Sequence, residues 1–104
     1  MADTSLPKVV VGTALTPEQK KDLLHRLARV EGQLRGVQKL ISLAAVPSDC
    51  DGVAQQLAAA RKALDRSFVN LLTSSMTTHT AGATSTADAA ERAKHLASML
   101  DKFA

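Results

Sequence analysis

Residues 50–79 read CDGVAQQLAAARKALDRSFVNLLTSSMTTH, and their pattern predicts one long helix. Val53, Leu57, Ala60, Leu64, Phe68, Leu71 and Leu72 recur at threes and fours, the spacing of an apolar stripe on a 3.6-residue period. Advancing about 100° per residue gathers Cys50, Leu57, Leu64, Phe68, Ser75 and His79 into an arc roughly 40° wide. The two most reactive side chains are therefore expected on the packing seam, turned away from solvent. A rise of about 1.5 Å per residue puts Cys50 and His79 roughly 40 Å apart, so one chain cannot bring both to the same atom. Two copies paired antiparallel about a two-fold axis can, because Cys50 of one then meets Ser75 and His79 of the other at two equivalent junctions.

The chain has 104 residues, 45% of them apolar but only 2% aromatic, with no Trp and no Tyr. One domain over residues 16–104 is expected, preceded by a flexible arm over residues 1–15 that contains Pro7 and Gly12. Ala and Leu pack helices closely without bulky anchors, and so short a chain gains much by burying its stripes against another subunit. An obligate oligomer is expected. The lone Cys excludes an intrachain disulfide framework. No signal-peptide pattern opens the chain and no apolar run approaches a membrane span, so a cytoplasmic location is expected, where a single thiol stays reduced.

Thr16, Pro17 and Gln19 mark the start of a first helix, with Thr as the cap, Pro at the first helical position and Gln closing a capping box. From there Leu23, Leu27, Val30, Leu34, Val37 and Ile41 form a heptad seam that runs to about residue 43. Lys21, His25, Arg29, Arg35 and Lys39 share a broad arc opposite the seam, and Arg26 flanks it. Such an arc is commonly just a solvated helix face. Here a second cluster, Arg61, Lys62 and Arg66, lies on the next helix. Across residues 17–66 nine Lys or Arg stand against six Asp or Glu, whereas residues 67–104 carry three against three. The excess positive charge of +3 thus belongs to the first two helices, as a phosphate-contacting face requires.

Pro47 ends the first helix, and Ser48 with Asp51 is a second capping signature that places Cys50 in the first turn of the long helix. Unpaired backbone N–H groups there favour a thiolate, and Asp49 and Asp51 oppose it. A lone Cys on an apolar seam is otherwise simply packed. After His79, Gly82 breaks the helix, and Ser85 with Asp88 starts a third one bearing the stripe Ala89, Ala93, Leu96, Leu100 and Phe103. His95 borders that stripe and is expected to be partly packed or at the surface, and not a ligand. An all-α protomer of three helices results. No phosphate loop and no Ser, His and Asp constellation is present, so an enzyme is not expected.

The segments LLHRLARVEGQLRGVQKLI and QQLAAARKALDRSFVNLL, with a Cys opening the second helix and a His closing it, resemble the CsoR/RcnR family of bacterial metal-sensing and stress-sensing repressors. The resemblance covers roughly residues 17–103. It implies an antiparallel dimer with a four-helix-bundle-like core, a dimer-of-dimers tetramer, and operator DNA held by basic surface on the first two helices. On that resemblance Arg26 and Arg66 match DNA-contacting arginines, with Arg29, Arg35 and Lys62 as weaker candidates. The family's sensor site joins a Cys at the position of Cys50 to two residues of the partner chain, which here are Ser75 and His79. Ser75 stands where a His is usual.

One thiolate and one imidazole suit Cu(I), a soft ion that accepts low coordination numbers, and Ser75 is a doubtful third donor. Ni(II) or Co(II) would want more donors, and Zn(II) would have to recruit water. The resemblance also admits formaldehyde or sulfur-species sensing through Cys50 without a metal, and a sensor site that has been lost. From a different class, a helical protein-interaction module with a structural Cys50 remains open.

Overall fold

In the computed structural model, residues 12–103 are described, and the expected arm therefore lies outside them up to residue 11, including the run Val9–Val11. Three helices follow in order: α1 over Pro17–Leu43, α2 over Asp49–Ala81 and α3 over Thr86–Asp101. No strand occurs among the described residues. The described residues divide into two compact units, one over Pro17–Leu72 and one made of residues 12–16 and 73–103.

In the first unit the connection over residues 44–48 is too short for anything but an antiparallel hairpin of α1 against the first part of α2. Its turn is held by Asp49, whose Oδ2 accepts from the Ala45 and Val46 N–H groups at 2.9 and 3.1 Å. The expected cap at Ser48 takes a different form: its backbone carbonyl accepts from the Asp51 N–H at 3.2 Å, while the carboxylate of Asp49 does the side-chain work.

The heptad seam is real but split into two lines. Leu23, Val30 and Val37 of α1 are buried, each 7% exposed or less, whereas Leu27, Leu34 and Ile41 are 40–57% exposed. The long helix divides the same way, with Ala60 and Ser67 buried and Leu57, Leu64, Phe68 and Leu71 exposed. A two-helix hairpin has one inner face, and small Ala60 and Ser67 allow close approach there; the larger side chains are left on the neighbouring line. The Ser67 hydroxyl sits in this interior by donating to the Ala63 carbonyl at 3.0 Å.

This division corrects one expectation. Cys50 is exposed in the protomer and lies on the outer line with Leu57, Leu64 and Leu71, seven residues apart in turn. Ser75 and His79 are half-buried.

In the second unit the end of α2 meets α3 through the turn over residues 82–85. Ser85 caps α3, its Oγ accepting from the Asp88 N–H at 3.0 Å, as its pairing with Asp88 predicts. Asp88 Oδ2 accepts from the Thr84 N–H at 3.0 Å and from the Arg92 Nε–H at 2.9 Å. Of the expected α3 stripe only Leu96 is buried, with Met99 half-buried beside it, while Leu100 and Phe103 remain exposed.

Gly82 does end α2, but by making room and not by adopting a left-handed turn. A Cβ there would lie 3.3 Å from Arg92 Nη1 and 3.4 Å from the Thr78 carbonyl. Gly12, in contrast, has φ of 131° and also lies near the Arg92 guanidinium. Among the described residues no helix is long and apolar enough to cross a membrane.

Candidate functional site

Cys50 occupies the first turn of α2, placed there by Pro47, which stops α1, and by Asp49, which fixes the turn. The Asp49 carboxyl is held below its usual range by the hydrogen bonds from the Ala45 and Val46 amides. Its charge is therefore committed to the turn. The thiol is exposed, and its helix continues as the outer apolar line.

His79 has different surroundings. Its ring stacks on that of His95 from α3, with centroids 5.2 Å apart and planes inclined by 29°. The Nδ1 atoms of both rings are buried and have no hydrogen-bond partner among the described residues. Burial lowers the His79 pKa from its ordinary value, and positive charge at His95 and at Arg92 pushes it the same way. At neutral pH His79 is thus an uncharged imidazole with a lone pair to offer, the state that a metal ligand needs.

Arg92 is itself held in place. Its side chain is 11% exposed, its Nε–H engages Asp88, and its guanidinium packs over Gly82. The same contact holds the Asp88 carboxyl below its usual range, with the Thr84 amide contributing.

The basic residues of the first unit form an accessible set. Arg29, Arg35, Lys62 and Arg66 are exposed and engage no carboxylate among the described residues. Arg26 differs from them. Its Nε–H donates to Asp22 Oδ2 at 2.9 Å, one turn back along α1. Exposed pairs of this type contribute little stability and exchange readily for another anion, so Arg26 is a cation with a competitor already in place.

The chain that folds into this helical hairpin, with its exposed basic surface, an exposed thiol near the start of its long helix and a stacked histidine pair near its end, is matched by a family model. That model, described as metal-sensitive transcriptional repressor, covers residues 19–102. The chain belongs to this family. Neither a curated protein nor a solved structure matches it.

Within one chain of this metal-sensitive repressor the expected sensor residues do not converge. Cys50 and His79 stand in the first and last turns of α2, and Ser75 lies one turn before His79. Among the described residues no group of three or more His, Cys, Asp or Glu side chains is arranged to hold a metal ion. What the fold does bring together is His79 and His95, a pair that periodicity along one helix cannot encode because a turn intervenes. Arg92 is a second residue absent from the sequence reading. Its only sequence signal is its place one turn after Asp88 in the α3 capping box.

Proposed function

We propose that this repressor pairs antiparallel as a homodimer, assembles further into a tetramer, and holds operator DNA in the cytoplasm through Arg26, Arg29, Arg35, Lys62 and Arg66. A ligand joining Cys50 of one chain to the partner's His79 releases the DNA. The observation that carries this reading is the outer line of α2, on which exposed Cys50 heads the exposed residues Leu57, Leu64 and Leu71. Half-exposed leucines at heptad spacing are a surface for another helix, and antiparallel closure about a two-fold axis sets the two ends of α2 against each other.

Cu(I) is the favoured ligand, and the residues fit it. The exposed thiol supplies a soft thiolate, and His79 supplies a neutral imidazole with a buried, unpartnered Nδ1. Bound there, the ion would act as a crosslink between helix ends. Joining those ends biases the placement of the two basic faces, and operator affinity changes if the faces fit the duplex in only one placement.

The exposure of Cys50 also favours a second reading, in which an aldehyde replaces the metal. The thiolate sulfur would add to the carbonyl carbon, and the oxygen would take up a proton.

The test is a duplex selected from a random pool and titrated across a salt series. Arg29→Ala and Arg66→Ala are each expected to lower the slope of log affinity against log salt by about 1. Cys50→Ala is expected to bind the duplex normally and to ignore Cu(I). Release of the wild type by formaldehyde but not by Cu(I) would establish the second reading. Failure to select any duplex would replace both with a protein-interaction module.

A further inference from the structure

Among the described residues the His79 and His95 rings form a pair of ligand-type side chains within a single protomer, and the proposal above uses only half of it. Buried polar atoms are almost always hydrogen-bonded, yet both Nδ1 atoms are buried and unpartnered among the described residues. Two imidazoles side by side thus present nitrogen atoms that none of the described residues satisfies. We infer that His95 is a ligand in its own right: the α2–α3 turn gives a transition metal two imidazoles, His79 and His95, which with the partner's Cys50 make the third donor at Ser75 unnecessary. The inference rests on the intersubunit site proposed above for its thiolate alone, since both imidazoles belong to one chain.

The geometry suits shared coordination. With metal–nitrogen bonds of about 2.0–2.1 Å, two nitrogens on one ion lie roughly 3 Å apart, and the ring centres stand a few ångströms further apart than that. Centroids 5.2 Å apart fall in this range. A stacked pair held by α2 and α3 is also preorganised. Ser75 has only a neutral hydroxyl, a poor donor to a soft ion.

The positive charge of Arg92 that disfavours a proton on His79 is partly offset by its carboxylate partner. Arg92 is matched by Asp88 at 2.9 Å, and the remaining charged groups of α3 near this end, Glu91 and Lys94, face each other at 3.8 Å. Two nitrogens and one sulfur form a trigonal set for Cu(I), or three of the four positions of a tetrahedral Zn(II) or Co(II) site whose fourth is water.

The experiment is anaerobic competition of Cu(I) against a chelator, using the full chain with His95→Phe, which keeps a ring in the stack but removes both nitrogens. His95→Gln serves as a second variant, and circular dichroism checks that each is helical. Loss of affinity greater than the roughly 10- to 100-fold that removing a residue which merely orients a ligand costs is expected in both, with Ser75→Ala unchanged. A loss within that range would overturn the assignment of His95 as a ligand. A second readout is the nitrogen chemical shift of His95 in the folded wild type. It should move on adding Cu(I), and a stationary signal would overturn the inference whatever the variants do.

Unchanged affinity in the His95 variants, with loss in Cys50→Ala and His79→Ala, would overturn the His95 assignment and leave the intersubunit site standing. Binding that survives Cys50→Ala but fails in both histidine variants would do the reverse. The absence of tight binding in the wild type would overturn both.

Discussion

The two ends of α2 are built in opposite ways. At the Cys50 end the described residues supply a turn and leave the thiol exposed, and the apolar line that follows it is exposed with it. At the His79 end α3 folds back and supplies nearly everything, including a stacked ring, a buried nitrogen pair and an arginine fixed by a capping carboxylate. One end is completed by its own sequence. The other is left exposed. On the proposal above, a ligand that joined the two would read assembly at one of its contacts and local folding at the other.

The largest effect is expected where the unfinished end is denied its partner. Leu64→Glu puts a carboxylate on the outer line, and burying it unpaired would cost several kcal/mol. Sedimentation should show protomers in place of an assembly, and an unchanged sedimentation profile would place the interface on another face.

The completed end is tested by its cap. Ser85→Ala should lower unfolding free energy by about 1 kcal/mol in chemical denaturation. Ser48→Ala, at the other helix start, should change little, because the Asp49 carboxylate holds that turn. Equal losses would erase the contrast between the two ends.

Glycines near each end sharpen it further. Gly52 has open space around it, so Gly52→Ala should stabilise α2 by about 0.5–1 kcal/mol through helix propensity. Gly82→Ala should gain less or lose, since its methyl group would crowd Arg92 Nη1 at 3.3 Å. A destabilising Gly52→Ala would reveal that another chain approaches that position closely.

The smallest effect is in pH. The folded state holds the pKa of His79 below the ordinary 6.5, so the unfolded chain binds that proton more tightly. The stability this contributes is present above about 6.5 and is lost as pH falls through the lower folded value. Thermal unfolding across this window should flatten in His79→Gln, and an unaltered pH profile there would mean that another group titrates.

Much of this architecture is legible in the sequence. The Pro17 start, the break at Pro47, the turn at Gly82 and the Ser85 and Asp88 cap all act through neighbours a few residues away, and local chemistry is what sequence states directly. The heptad seam is legible as a face. Its division is not, because period alone does not say which of two adjacent lines the hairpin covers. That choice depends on Ala60 and Ser67 being small enough to sit inside, which only packing decides. The His79 and His95 stack is hidden for another reason. It joins two helices across a turn, and neither histidine looks special on its own helix.

The hydroxyls of residues 73–80 bear on how such a site can change over generations. Thr77 Oγ1 donates to the Thr73 carbonyl at 2.9 Å and Thr80 Oγ1 to the Met76 carbonyl at 2.8 Å, so these polar side chains are satisfied by their own helix. Exchanging a neighbour at 75 or 79 strands no hydrogen bond of theirs. The end of α2 is thus a tolerant platform on which single side chains can be traded, and a chain with serine at 75 keeps its helix through such an exchange.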